Sequence, residues 1–225
     1  VHPVGAPELA VSLAGPALLK ACPEVRDMPP QHRPSHLYNG MIHALRSMPF
    51  RGVIWYQGEN NAIDSGDPGC YESLLGGMIE DWRSAFAAPE LPFFIVQLPN
   101  FRHAGSWDYA RVRDAQRRVA QADSHVGLAI TMDLGEADDI HPRNKHGVGR
   151  RLARLALADV YGLDTGTSSG PMPLSARTEG DGVVVAYETF GSSLGTWGGD
   201  GPLGGFEVAG PDGTFMAARA ALIDG

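Results

Sequence analysis

The sequence holds only two cysteines, Cys22 and Cys70, among 225 residues. That number is too small for a disulfide-stapled scaffold and excludes a zinc site built from a cysteine cluster. The two thiols can pair or stay apart, because sequence spacing does not set the distance between their Cα atoms. No apolar run approaches the roughly 18 to 20 residues of a membrane-spanning helix, so no membrane partner is expected. Basic residues are in the minority: 18 Lys and Arg against 26 Asp and Glu leave a formal charge of −8. This balance argues against nucleic acid as a partner, since phosphates demand a basic surface. Charge is also too sparse for a disordered acidic chain: charged residues make up 20% of the sequence and hydrophobic ones 43%, enough for a core. Internal repeats and long low-complexity segments are lacking as well.

What is present is an alternation of two hydrophobic periods. Residues 1 to 34 are rich in proline and alanine and read as a loop-rich lead-in. Leu37, Met41, Ile42, Leu45 and Met48 recur at helical spacing and predict an amphipathic helix ended by Pro49. Three short apolar runs follow, at 52–56, 93–98 and 126–132, each reading as a buried strand. Between and after them, helical spacing returns in Leu75, Met78, Ile79, Trp82 and Phe86, in Tyr109, Val112, Gln116 and Val119, and in Val148, Leu152, Leu155 and Ala156. Strands alternating with helices imply a parallel sheet with helices on both faces. In such sheets ligands bind beyond the C-terminal ends of the strands. From Gly162 to Pro173 the chain is dense in Gly, Ser, Thr and Pro and reads as a linker. Short apolar runs at 183–187, 204–208 and 214–217 with Asp-Gly turns then predict antiparallel strands, the start of a β-sandwich. The expected domains are an α/β unit over 1–165 and a partial β-sandwich over 170–225.

Two loops carry candidate chemistry. Trp55-Tyr56-Gln57-Gly58-Glu59-Asn60-Asn61 follows the first clear strand. Gln57 offers a side-chain N–H, Gly58 permits close backbone approach, and the asparagines can donate or accept. Such donors suit an oxyanion hole, but a strand-to-helix turn capped by Asn60 or Asn61 accounts for the same residues. The second loop is Asp133-Leu134-Gly135-Glu136-Ala137-Asp138-Asp139-Ile140-His141-Pro142. A histidine three residues after an aspartate can be oriented through one ring nitrogen and act as a general base through the other. A surface loop with a capping carboxylate is the plainer alternative. Metal ligation by His141 and His146 ranks lower, because a separation of five does not align two ligands on one helix face. Arg143-Asn144-Lys145 reads as a basic turn that fixes His141. The tryptophans Trp82, Trp107 and Trp197 read as core residues rather than sugar platforms.

Several blocks, taken in order, resemble the sialate O-acetylesterase family, a branch of the SGNH hydrolases. They are Leu37-Tyr38-Asn39-Gly40-Met41-Ile42, residues 52–61, Asp81-Trp82-Arg83, residues 91–101, and Asp139-Ile140-His141-Pro142-Arg143-Asn144-Lys145. The likeness is strong over 35–162 and continues more weakly through 204–210. It implies a three-layer α/β/α fold and hydrolysis of acetyl esters on sugars without metal or other cofactor. It also favours a secreted or periplasmic location. Residue by residue, it implies that His141 is the general base and that Asp138 is its orienting acid, with Asp139 as the alternative. Gln57 is implied as an oxyanion donor, and Gly58, Glu59 and Asn61 as residues shaping the substrate loop. The family's serine lies in a Gly-Gln-Ser-Asn block upstream of the Leu-Tyr-Asn-Gly block, and this sequence has no such block. The chain is therefore expected to be a fragment that is inactive alone. A glycan-binding remnant of the fold is the alternative function.

Overall fold

The computed structural model describes residues 29–30, 33–63, 68–102, 107–195 and 203–223. Two compact units are present, Val1–Met48 and Pro49–Gly225. In the first, the described helical stretch is not the regular α-helix that its apolar spacing predicts. A π-helical turn, Tyr38–Ile42, runs into a single 3-10 turn, His43–Leu45, and neither buries a residue. Leu37, Met41 and Met48 are exposed. Asn39 and Gly40 are poor helix formers, and with most of the stripe exposed little burial rewards a regular winding.

In the second unit, the three apolar runs form β1 (Val53–Trp55), β2 (Phe93–Val96) and β3 (Val126–Ala129). They pair in parallel in the order β1-β2-β3, with Val53 opposite Phe93 and Phe93 opposite Val126. The crossovers carry α1 (Tyr71–Ala85) and α2 (Tyr109–Ala122), and α3 (Lys145–Asp159) follows β3. Strand alternation divides the core between two faces. Phe93, Ile95 and Leu128 pack with Leu75 and Ile79 of α1 and with Val112, Ala115 and Val119 of α2. Phe94, Val96 and Ala129 pack instead with Val148, Leu152 and Leu155 of α3. The result is the expected three-layer α/β/α arrangement. Gly127 lets α3 settle on the sheet, since a Cβ there would lie 2.8 Å from the Phe94 ring and 3.0 Å from Leu155.

The ladders are shorter than the apolar runs. Leu98 and Thr131 lie outside the strands yet are fully buried. The chain thus leaves the sheet still inside the core, which anchors the start of each loop at the C-terminal edge. One buried charge braces the opposite side of the unit. Arg83 of α1 pairs with Asp123 and donates to the Leu91 carbonyl at 3.0 Å.

Beyond α3 the region read as a linker is tied to this unit. Met172 joins the core, and Ser169 Oγ donates to the Leu128 carbonyl at 2.6 Å. Two antiparallel hairpins follow, β4 (Met172–Glu179) with β5 (Gly182–Glu188), and β6 (Glu207–Ala209) with β7 (Phe215–Ala217). The first of these strands, β4, escapes sequence reading. Its residues after Pro173 are exposed, so no alternation marks a buried face. No described helix is long and apolar enough to cross a membrane. Cys22 and Trp197 lie outside the described residues, while Trp82 and Trp107 pack against the core.

Candidate active site

Because β1, β2 and β3 run parallel, the residues after them emerge at one edge of the sheet. The loop after β1 is held from beneath. Gly58 has φ of 141°, a region open to glycine, and a Cβ there would lie 3.1 Å from Val112 and 3.2 Å from the Tyr71 hydroxyl. A single 3-10 turn, Glu59–Asn61, follows. The Gln57 amide is fixed on both sides. Its Nε2 donates to Asn61 Oδ1 at 2.7 Å, and its Oε1 lies 3.2 Å from the Tyr71 hydroxyl. Its backbone carbonyl accepts from the Tyr71 hydroxyl at 2.9 Å and from Gln116 Nε2 at 3.2 Å. Asn61 therefore meets Gln57 directly, and Glu59 stands half-buried on the same turn. Glu59 also acts at a distance. Its charge adds to burial in pushing the phenols of Tyr56 and Tyr71 upward, and Tyr109 is pushed up to about 12 by the same two causes in the same order.

The loop after β3 is built from reciprocal carboxylate contacts. Thr131 Oγ1 donates to the Gln97 carbonyl, joining the ends of β2 and β3. Gly135 packs directly on the loop after β2: its N–H donates to Asn100 Oδ1 at 2.9 Å, and a Cβ would meet the Asn100 carbonyl at 2.0 Å. Glu136 accepts from the Arg143 backbone N–H at 2.8 Å and from its guanidinium at 3.0 Å. The Arg143 hydrogen bonds hold the Glu136 carboxyl below its ordinary value. Asp139 Oδ1 accepts from the His141 backbone N–H at 2.8 Å. Asp138 turns elsewhere, to Arg102 Nη2 at 2.6 Å, in a pair whose side chains are 72% and 77% exposed. Neither carboxylate bonds the His141 imidazole among the described residues, and His141 is exposed.

The three residues after Pro142 each have a different partner. Arg143 binds Glu136, Asn144 caps α3 by accepting from Gly147 N–H at 3.0 Å, and Lys145 reaches across the edge. The Lys145 Nζ lies 4.8 Å from the centre of the Tyr56 ring. Tyr56 immediately precedes Gln57 and Lys145 lies four residues after His141, so this cation–π contact brings the two candidate loops to the same edge. Sequence reading singled out both loops but not their supports. Tyr71, Gln116, Arg102 and Asn100 sit far away in the chain, and no local pattern links them to Gln57 or His141. No described group of three His, Cys, Asp or Glu side chains is placed to hold a metal ion.

This arrangement defines an α/β protein whose polar loops gather at the C-terminal edge of a parallel sheet, the edge at which ligands bind in such folds. The family model of carbohydrate esterases described as sialic acid-specific acetylesterases matches residues 26–158, more than half of the chain, and the chain belongs to that family. Sialate O-acetylesterase of Mus musculus is 35% identical over 173 residues, covering 68% of this chain and 31% of its own. The Homo sapiens protein of the same name is 33% identical over 163 residues, covering 62% of this chain and 30% of its own. The chain thus spans about a third of the length of these relatives. A crystal structure of a carbohydrate acetylesterase from Xanthomonas citri superposes with a TM-score of 0.77 at 39% identity, covering 83% of this chain and 43% of that one.

Proposed function

We propose that the intact protein containing this chain is a serine-type carbohydrate O-acetylesterase, and that this chain supplies its base and part of its oxyanion hole. The observation that carries the reading is the Lys145–Tyr56 contact, which brings the His141 and Gln57 loops to one sheet edge. A serine from the family's Gly-Gln-Ser-Asn block, which this sequence does not contain, attacks the acetyl carbonyl. His141 takes the serine proton as the Oγ–C bond forms. Gln57 and backbone N–H groups stabilise the negative oxygen. The bond to the sugar oxygen then breaks, and His141 returns the proton to that oxygen. Water attacks the acetyl-enzyme with His141 again as base, releasing acetate and freeing the serine.

Asp138 is the acid we assign to the His141 ring. Asp139 already serves the His141 backbone, and the Asp138–Arg102 pair is exposed and screened by water, so exchanging Arg102 for imidazolium costs little. The loop of Gly58, Glu59 and Asn61 shapes the approach to the acetyl group. The test is turnover of an acetylated chromogenic ester by the intact protein. His141→Ala should abolish it, and Asp138→Asn should lower kcat on the order of 10⁴-fold, the loss that follows when an orienting acid becomes an amide. Full activity in His141→Ala would end the assignment of His141 as the base. An Asp139→Asn loss far larger than that of Asp138→Asn would move the orienting role to Asp139. The chain alone should hydrolyse such esters little or not at all.

A glycan-binding remnant is the second reading, motivated by the missing serine block. Glycan binding by the intact protein without ester hydrolysis would favour it.

A further inference from the structure

The oxyanion reading places a flexible glutamine side chain in a role that needs a fixed N–H direction. A free glutamine amide rotates and can present its oxygen in place of its nitrogen, which would repel the developing charge. Three groups bear on this amide. Asn61 Oδ1 accepts one N–H, the Tyr71 hydroxyl lies at the amide oxygen, and both Tyr71 and Gln116 donate to the backbone carbonyl of the same residue.

Tyr71 and Gln116 are themselves held by burial. Tyr71 is 2% exposed and Gln116 is fully buried. Gln116 is wedged between the ends of two strands: its Oε1 accepts from the Leu98 N–H at 2.9 Å, and its Nε2 also donates to the Val96 carbonyl at 3.3 Å. It therefore connects the exit of β2 to the exit of β1. A buried group with this many partners is costly to move, so its donors keep a constant direction. Tyr71 is equally constrained, because its ring packs in the core and its hydroxyl reaches Gln57 at the first residue of α1. Burial, and after it the charge of Glu59, push the Tyr71 phenol upward, which keeps it a donor across the neutral range.

Resting on the oxyanion reading, we propose that Tyr71 and Gln116 are positioning residues that fix Gln57 from behind. Tyr71 shares its one hydroxyl proton between the Gln57 carbonyl and amide oxygens, which keeps the amide nitrogen on the Asn61 side, and Gln116 locks the backbone from which it projects. Neither touches substrate; both act through Gln57. A purely structural role would lower stability without depending on the Gln57 side chain.

The experiment is a double-mutant cycle in the intact protein, using an acetylated chromogenic ester. Gln57→Ala should lose about 100- to 1000-fold in kcat. Tyr71→Phe, which keeps the buried ring, should lose roughly 10-fold in kcat with KM nearly unchanged, the scale of one hydrogen bond. In the Gln57→Ala background, Tyr71→Phe should cost nothing further. An impaired Gln57→Ala with a fully active Tyr71→Phe, or with losses that simply multiply, would overturn the positioning role while leaving the oxyanion reading intact. A fully active Gln57→Ala would overturn both and so marks failure of the underlying reading. Should Tyr71→Phe not fold, Gln116→Met in the same two backgrounds decides by the same criterion.

Discussion

At the residue scale, one glycine decides whether the loops after β2 and β3 can approach each other as they do. Gly135 lies against the loop after β2, where a Cβ would come within 2.0 Å of the Asn100 carbonyl. Because the obstruction is backbone, no side-chain rotation relieves it, and one of the two loops must shift. Gly135→Ala should therefore destabilise by about 1 to 3 kcal/mol, the usual cost of overpacking, and lower ester turnover in the intact protein through displacement of His141. Thermal melts and kinetics together check this. An unchanged melting temperature would mean that the two loops are less firmly joined than their contact indicates. The aspartates make the complementary point. Adjacent in sequence and alike in chemistry, Asp138 and Asp139 have different partners: Arg102 for the first, the His141 backbone for the second. Sequence left that division open because it depends on which side of the turn each carboxylate leaves.

At the scale of elements, the caps and buried pairs hold the site more than propensity does. Asn144 both ends the His141 loop and begins α3. Asn144→Ala should cost about 1 kcal/mol of stability, measured by urea denaturation, as other N-cap losses do. It should also raise amide exchange at Gly147, whose N–H loses its acceptor. Arg83→Ala should be harsher, near 3 kcal/mol, because it leaves Asp123 and the Leu91 carbonyl without their buried partner. The helices α1, α2 and α3 were legible because their apolar stripes face a sheet. The helix expected over 37–48 was not realised in regular form: Asn39 and Gly40 favour it poorly, and Leu37, Met41 and Met48 of its stripe stay exposed. β4 shows the converse failure: it exists through pairing with β5 and not through a buried face.

At the scale of the whole molecule, net charge and titration set the conditions of stability. The Tyr109 phenol is raised from 10.0 to about 12, by burial first and then by Glu59. Between these values the folded protein keeps a proton that the unfolded chain has lost. Stability must therefore fall as pH climbs from 10 toward 12, and the contribution is fully present below 10. Ultraviolet titration of the intact protein should show phenols ionising late, and Tyr109→Phe should remove the last of these steps from this chain and flatten the alkaline loss of stability. The acid side behaves in the opposite sense. Glu136 is held below its ordinary 4.5 by Arg143, so the pair that braces the His141 loop persists above 4.5 and is lost as pH falls through the lowered value.

Much of the molecule follows from local sequence. The periods of two and of about 3.6 in the apolar pattern determined three parallel strands with their helices, and parallel strands alone put the Gln57 and His141 loops at one edge. Only the tertiary structure decided the rest. Gln116 reaches Gln57 across 59 positions and Tyr71 reaches it across 14, separations that no motif records. The same is true of Asn100 under Gly135 and of Lys145 over Tyr56. The reason is physical: hydrophobic period is a property of neighbouring residues, whereas the direction of the Gln57 amide is set by hydrogen bonds that exist only once distant segments have packed.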